Sequence, residues 1–202
     1  ATYENIDKVL KEFKVFFTSP ISKKQTKYKT FVISATNHPN KIRGLINLLK
    51  LNKIEFGFLS SSKSKSIKNA YEYLTGDKKT IKVSNKDICI PIDQKLGILA
   101  NVLFEPKTNL SDTLTYDITA WSLPYIYGLN AYALENNLKL QLKDTLLFTS
   151  NELKIDKNSY GYLSKWGTIN DLQFLAEILN HRVTIRVAEK PFKHEGINYK
   201  PG

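Results

Sequence analysis

The sequence predicts an α/β fold with a parallel or mixed sheet flanked by helices, two pseudo-repeated βαβ units and an added β-hairpin. Three observations lead to this prediction. Uncharged β-favouring runs alternate with amphipathic helical segments, one strand-helix-strand spacing occurs twice, and short β-favouring runs with turn signals follow its first occurrence. Because 42% of the 202 residues are hydrophobic, the chain has enough apolar side chains for a buried core.

The N-terminal part predicts an amphipathic helix and then the first βαβ unit. Apolar residues recur at helical spacing over residues 6–17, and this helix is expected to end before Pro20. Residues 30–35 form an uncharged β-favouring run, which is typical of a strand covered on both faces. Asn37 is in position to cap the next helix, whose apolar stripe is expected to end at Asn52.

Residues 54–59 complete the first unit, and its two strands are expected to be parallel because a helical crossover joins them. A gap-free shift of 129 residues predicts a second unit with a strand at 160–164, a helix at 170–180 and a strand at 183–187. The shared spacing favours a duplicated unit over a chance match. Among the apolar pairs that this shift aligns are Phe31 with Tyr160, Ile33 with Tyr162, Leu45 with Phe174, Leu49 with Ile178, Ile54 with Val183 and Phe58 with Val187.

The rest of the sequence predicts the strands of a β-hairpin, a connector and a second unit that is truncated at its C-terminus. Short strands are expected at 70–74, 80–83 and 88–92, a helix at 96–104, and one or two strands at 138–148. We therefore expect one composite domain with three parts. They are residues 1–110, the first unit with its N-terminal helix and hairpin; 111–158, an aromatic-rich helical connector and strand; and 159–202, a second unit truncated at its C-terminus.

Residue types that carry catalysis are sparse. His38, His181 and His194 lack the spacing of a zinc site, and we expect them at the surface, the first two beside helix ends. Cys89, the single cysteine, lies in an apolar run without the glycines of a nucleophile elbow. It is therefore expected to be a buried strand residue, because free cysteine packs as a small hydrophobe.

The charge of the chain raises an alternative function. The formal net charge is +11, and 27 of the 30 basic residues are lysine. Because the lysines are dispersed and arginine is the usual reader of phosphate and guanine, a solvated surface is favoured over nucleic acid binding. A lysine-rich module for nucleic acid or an anionic glycan stays as the alternative. No membrane span is expected, since the longest apolar runs are too short.

One long stretch of sequence resembles a known family. It comprises residues 103–106 (LFEP), 110–125 (LSDTLTYDITAWSLPY) and 127–129 (YGL), and residues 164–167 (SKWG) and 186–192 (RVAEKPF) extend it. It is similar to the region C-terminal to the peptidase domain in large zinc carboxypeptidase-like proteins of the carboxypeptidase A (funnelin) superfamily, found in Bacteroidetes-type bacteria.

The resemblance implies a parent protein that binds zinc through a His-x-x-Glu motif and a distant histidine, with a glutamate as base. None of those positions exists in this sequence, so the resemblance places no catalytic residue, metal ligand or cofactor here and leaves zinc in the parent's catalytic domain. It also implies a periplasmic or secreted protein whose peptidase domain is the intramolecular partner of this segment. The family's region is likened to a class I glutamine amidotransferase fold, and without a nucleophile elbow this chain is at most a degenerate relative.

The leading functional hypothesis is a non-catalytic accessory or scaffold domain of such a protein. Tyrosine and tryptophan suit an interface, and the alternative is that Trp121 and Tyr125 fill the core between the two βαβ units. Asp112 and Asp117 could form an acid–base pair or could cap helices. A further alternative is a small-molecule-binding, amidotransferase-like domain with a polar pocket near Asn37 and Trp166. The candidate interface or substrate-facing residues are Asp112, Tyr116, Asp117, Trp121, Tyr125 and Trp166.

Overall fold

A computed structural model of the chain describes residues 5–18, 26–107, 122–143 and 158–202. The chain divides into two compact units, Ala1–Phe148 and Thr149–Gly202. The first unit contains helices α1 (Ile6–Thr18), α2 (Pro39–Leu51), α3 (Gly97–Phe104) and α4 (Leu123–Ile126), and strands β1 (Thr30–Ile33), β2 (Phe56–Leu59), β3 (Lys65–Glu72), β4 (Lys78–Val83), β5 (Ile88–Pro91), β6 (Ala131–Leu134) and β7 (Leu140–Lys143). The second contains α5 (Ile169–Asn180), β8 (Phe192–His194) and β9 (Ile197–Tyr199).

The first unit is a mixed α/β structure built on a seven-stranded sheet of order β4-β3-β6-β1-β5-β2-β7. Every neighbouring pair in this sheet is antiparallel. The prediction of a parallel or mixed sheet is therefore wrong. Strands β1 and β2 do run in the same direction across α2, but β5 lies between them. Since Ile88, Cys89 and Ile90 are all apolar, β5 is suited to a central position buried on both faces.

The two faces of the sheet carry separate apolar clusters. Strand alternation places Phe31 and Ile33 in the cluster that also holds the buried stripe of α2 and Phe104 of α3. Val32, between them, points into the other cluster with Cys89. A register shift in β3, where Asn69 has a φ of 57°, lets residues three apart face the same side. The buried members of the second cluster are Val32, Ile67, Ala70, Ile81, Val83, Cys89 and Leu134.

Residues 131–134 form strand β6, so the helical character predicted for them is wrong. Its alternate residues Ala131 and Ala133 join the helix-covered cluster, whereas Leu134 joins the opposite one. Alanine has the highest helix propensity, so local composition favoured a helix. Pairing with both β1 and β3 outweighs that propensity, because it satisfies the backbone groups of a fully enclosed strand.

Helices α1 and α2 lie where the sequence predicts them, but the cap of α2 is different. The residue that caps α2 is His38, whose Nδ1 accepts a hydrogen bond from the backbone N–H of Asn40 at 3.2 Å. Asn37 is therefore not the cap. Pro39 occupies the first turn, and the helix ends with Asn52 as its C-cap, as predicted.

The second unit keeps its predicted helix but not its predicted strands. Helix α5 begins with a capping box in which Thr168 and Asp171 satisfy each other's backbone N–H groups. Residues 160–164 and 183–187 form no strand in the structure, so the prediction of two βαβ units is wrong. The second unit instead contains the small antiparallel hairpin β8–β9.

No helix in the described ranges combines the length and apolar character that are needed to cross a membrane.

Candidate functional site

The structure describes two of the six candidate residues. Tyr125 belongs to the first unit and Trp166 to the second. Trp166 is 52% exposed, on a segment that forms neither helix nor strand. The other four candidates lie outside the described residues: Asp112, Tyr116, Asp117 and Trp121.

Tyr125 is presented by α4, a single helical turn held at the protein surface. Leu123 and Pro124 are buried, and Pro124 lies in the first turn, where its missing N–H has no cost. Gly128 adopts a φ of 56°, and the next residue, Leu129, donates its N–H to the carbonyl of Pro124 at 2.9 Å. This closed turn leaves Tyr125 38% exposed beside its buried neighbours.

Tyr125 is the exposed member of a tyrosine cluster, which we define as Tyr28, Tyr71, Tyr73 and Tyr125. The rings of Tyr73 and Tyr125 meet edge to face, with centroids 5.2 Å apart. Tyr71 lies 5.8 Å from Tyr73 and 6.2 Å from Tyr28 by the same measure. Tyr28, Tyr71 and Tyr73 are buried, so the cluster is a rigid aromatic base with one exposed edge.

The hydroxyl groups of Tyr71, Tyr73 and Tyr125 form hydrogen bonds within the cluster or to the backbone. The oxygens of Tyr71 and Tyr125 lie 3.3 Å apart, and Tyr73 donates to the carbonyl of Phe104. Burial raises the pKa of Tyr28, Tyr73 and Tyr125 above the ordinary value for tyrosine, and the nearby tyrosine hydroxyls add to the shift. These three groups are therefore neutral at physiological pH.

The cluster is suited to contact rather than to proton transfer. Neutral phenols with raised pKa values are poor general bases near pH 7, where catalysis favours a group with a pKa close to that pH. An aromatic body with a polar tip instead suits a protein or peptide surface. The sequence pattern indicates Tyr125 as a candidate but does not single out Tyr28, Tyr71 or Tyr73. The alternation of Tyr71 and Tyr73 along and just beyond β3 was the available signal, since it predicts a shared face.

Cys89 is fully buried on β5, as predicted. Burial raises the pKa of its thiol to about 12, and the nearby Asp87 carboxylate contributes. A nucleophilic cysteine needs a lowered pKa and access to substrate, so Cys89 has the opposite properties. Within the described residues, no three His, Cys, Asp or Glu side chains come together as a possible metal site. All three histidines are exposed, and His38 and His181 lie beside helix ends, as expected; they are the N-cap of α2 and the C-cap of α5.

Asn37 does not open into the polar pocket expected near it. Its amide nitrogen donates to the carbonyls of Ser34 and Asn130 at 2.8 and 3.0 Å, and its oxygen accepts from the N–H of Asn130 at 2.8 Å. Asn37 is buried and fully used in joining the loop after β1 to the loop before β6. Its role in the described structure is therefore to hold two loops together.

A polar cavity of about 320 Å³ lies instead over strands β1, β4 and β6. Its lining includes Lys79, Lys82 and Asp87. The carboxylate of Asp87 already accepts from the backbone of Ala35 and of Ser84, and Lys79 is paired with Glu72. Two of the charged groups at this cavity are thus engaged within the protein.

Comparison of the chain with profiles of protein families, with curated proteins and with solved structures finds no match.

Proposed function

We propose that this chain is a non-catalytic accessory domain of a zinc carboxypeptidase-like protein, and that the exposed edge of its tyrosine cluster contacts the peptidase domain. The observation that carries the proposal is the placement of Tyr125. It is an exposed aromatic residue supported by three buried tyrosines, and it lies in the stretch of sequence that resembles the family. In this proposal zinc belongs to the peptidase domain, and the protein is periplasmic or secreted.

The arrangement of the cluster favours tight contact. Tyr125 is backed by Tyr73 and bonded at its tip to Tyr71, so docking restricts few additional side-chain motions. Ile126, next to it, is 60% exposed and extends the apolar surface. A preordered aromatic residue beside an aliphatic one has the composition of an interface centre.

The chemistry of the described residues supports a non-catalytic role. The thiol of Cys89 is enclosed and protonated, which argues against an amidotransferase nucleophile. The neutral tyrosine hydroxyls do not supply a base at physiological pH. Binding is therefore a better use of this surface than hydrolysis.

The proposal is tested by the sequence of the gene and by binding of the peptidase domain that it is expected to encode. The coding sequence upstream of Ala1 is expected to encode a His-x-x-Glu zinc motif, and the domain that contains it is expected to bind this chain in calorimetry. Tyr125→Ala should weaken that binding by about tenfold or more, as for an aromatic hot spot. The matched control is Tyr160→Ala, which removes an exposed tyrosine from the second unit and should leave the affinity for the peptidase domain unchanged.

Two results would contradict the accessory role. One is the absence of a zinc motif upstream of the chain. The other is turnover of a peptide panel by the purified chain with added zinc, because an accessory domain has no hydrolytic activity of its own.

Binding of an anionic polymer is the second candidate function, and the lysines of β4 favour it. Lys78, Lys79 and Lys82 are exposed on this edge strand, although Glu135 and Glu72 partly neutralise the first two. If the chain binds nucleic acid or an anionic glycan, affinity should fall steeply between low and moderate salt. Filter binding without any salt-dependent uptake would remove this candidate.

A further inference from the structure

We infer that the polar cavity over strands β1, β4 and β6 binds a small hydroxylated carboxylate of the sugar-acid class. Its carboxylate is placed toward Lys82 and its hydroxyl groups toward Asp87 and Ser34, which all line the cavity. This inference is independent of the proposed peptidase parent. It also differs from the binding of an anionic polymer, because the ligand enters a cavity of limited volume instead of lying along the surface.

The hairpin of β3 and β4 folds back over one face of the sheet. It joins the rest of the sheet through Tyr71 and Glu72 of β3, whereas Val83 lies at its far end, opposite Lys65. Residues 84–87 alone connect β4 to β5, which is four places away in the sheet order, or about 19 Å across a flat sheet. Five residue steps cover at most about 18 Å, and Val83 is displaced along the strand direction as well. The far end of the hairpin therefore bends toward β5.

The buried side chains agree with this bend. The register shift in β3, where Asn69 has a φ of 57°, is a bulge of the kind that bends a strand. Ile81 and Val83 of β4 are buried in one cluster with Val32 of β1 and Cys89 of β5. Residues of the outer hairpin thus share a core with the central strands, and the cavity is space left between the two.

The size and lining of the cavity suit a small polar molecule. Its volume of about 320 Å³ equals the share of about ten water molecules in the liquid, and it lies at the lower end of the range for small-molecule pockets. Val32 and Ile81 are its aliphatic lining residues. The other lining residues all carry polar groups, which favours a ligand with several polar groups of its own. They are Ser34, Lys79, Thr80, Lys82, Asp87 and Tyr132.

The charges of the lining favour an anion. Two lysines and one aspartate give it a formal net charge of +1. Lys79 is already paired with Glu72, and its ammonium group lies 5.4 Å from the centre of the Tyr132 ring. Lys82 is exposed, and its ammonium group has no partner in the part of the chain that the structure describes. Lys82 is therefore the cation available to a carboxylate.

The sheet side of the cavity provides a fixed acceptor. Asp87 accepts from the N–H of Ala35 at 2.8 Å and from the N–H and hydroxyl of Ser84 at 2.7 and 2.9 Å. These three bonds hold the carboxylate in place, and one of its roughly four acceptor sites is left over. The hydroxyl oxygen of Ser34 lies 2.9 Å from that of Thr36 and adds a second polar group on this side. A ligand that satisfies this side needs a hydrogen-bond donor.

These groups together specify a carboxylate that also carries hydroxyl groups. The carboxylate balances the net charge of the lining, and hydroxyl groups donate to Asp87 while they accept from the lysines or from Thr80. An ammonium group is a poorer donor here, because Lys79 and Lys82 line the same small cavity and repel a further cation. A six-carbon sugar acid has the required chemistry.

Three six-carbon compounds test the ligand class when they are added to the whole chain: D-gluconate, sorbitol and hexanoate. Sorbitol lacks the carboxylate of gluconate, and hexanoate lacks its hydroxyl groups. In proton–nitrogen correlation spectra, gluconate should shift the amide signals of Ser34, Asp87 and residues 79–82, with an affinity at least tenfold higher than that of the other two compounds. Absence of gluconate binding, or equal binding of sorbitol or hexanoate, would overturn the inference.

Variants test whether gluconate occupies this cavity. Lys82→Gln removes the unpaired cation and should weaken gluconate binding at least tenfold. Lys65→Gln is the matched control, since it removes an exposed lysine of the neighbouring strand outside the cavity lining, and affinity should persist. Thr80→Phe places a ring in the cavity and should abolish binding without any change of charge.

Both cavity variants should fold, because Lys82 and Thr80 are exposed on a border strand and aromatic residues suit strands. Undiminished affinity in either of them would place the ligand elsewhere and overturn the inference. Equal losses in Lys82→Gln and Lys65→Gln would reduce the binding to general attraction by the positive chain, which also contradicts it.

Discussion

The hydroxyl oxygens of Tyr71 and Tyr125 lie 3.3 Å apart, so a residue of strand β3 and a residue of helix α4 are joined through their polar tips. The contact joins a surface residue of this short helix to the central sheet. It also affects the ionisation of Tyr125, since burial and the hydrogen bond with Tyr71 both raise the pKa of Tyr125. The orientation of this exposed tyrosine therefore depends on its hydrogen bond with Tyr71.

The raised pKa values predict loss of stability at alkaline pH. Tyr28, Tyr73 and Tyr125 have folded-state pKa values above the unfolded value of about 10. The folded state therefore keeps protons that the unfolded state releases, so their contribution is complete below about pH 10 and is lost as pH rises further. Urea unfolding at a series of alkaline pH values should show this decline. Tyr73→Phe should make this decline in stability shallower, and Tyr160→Phe, at an exposed site, should leave it unchanged. Equal declines in the unmodified chain and in both variants would contradict the prediction.

Gly57→Ala should destabilise the first unit. A Cβ at Gly57 would lie 2.5 Å from the backbone oxygen of Gln141 on the paired strand β7, and neither backbone moves easily. We expect a loss of about 1–3 kcal/mol in the free energy of unfolding, the range for overpacking. Gly161→Ala is the control, because a Cβ there meets no atom within 4 Å. A stable Gly57→Ala chain would show that β2 and β7 are not paired in this register.

Asn37→Ala should loosen the contact between the loops that precede α2 and β6. The change removes both hydrogen bonds to Asn130 and the one to Ser34, and it leaves the backbone N–H of Asn130 without its side-chain acceptor. A loss of about 1–3 kcal/mol is expected in denaturant unfolding. Asn47→Ala, at an exposed position of α2, should cost nothing measurable. If Asn37→Ala and the unmodified chain are equally stable, Asn37 does not hold the two loops together.

Cys89 should resist thiol reagents in the folded chain. Its side chain is fully buried, and the pKa raised to about 12 leaves little thiolate at neutral pH. An aromatic disulfide reagent should therefore label the thiol only in denaturant, at a rate that follows unfolding. Rapid labelling under native conditions would place Cys89 at the surface and reopen its candidacy as a nucleophile.

Sequence periodicity predicted single elements better than their arrangement. The stripe of α2 and the apolar run of β5 each follow from local spacing, and both are present. The insertion of β5 between β1 and β2 depends on a pairing between segments far apart in the chain, which spacing within one segment does not specify. The crossover rule for parallel neighbours therefore gave a wrong sheet.

The candidate site was predictable only in part, for a related reason. Tyr125 stood out within an aromatic-rich stretch, but the cluster also requires Tyr28 from the segment before β1 and Tyr71 from β3. Those contacts form only when β3, β6 and β1 assemble side by side. The assignment of His38 as the cap of α2 similarly depended on Asn37 being held by Asn130, 93 residues away.

The position of β4 at one border of the sheet has a consequence for the behaviour of the protein in solution. A border strand offers unpaired backbone groups to any other molecule, and lysines along it oppose such joining. Lys78 and Lys82 on this strand and Lys143 on β7, at the opposite border, are exposed. Part of the excess positive charge on the chain thus opposes association between neighbouring molecules. Chemically acetylated preparations should turn cloudy at concentrations at which the untreated chain stays clear.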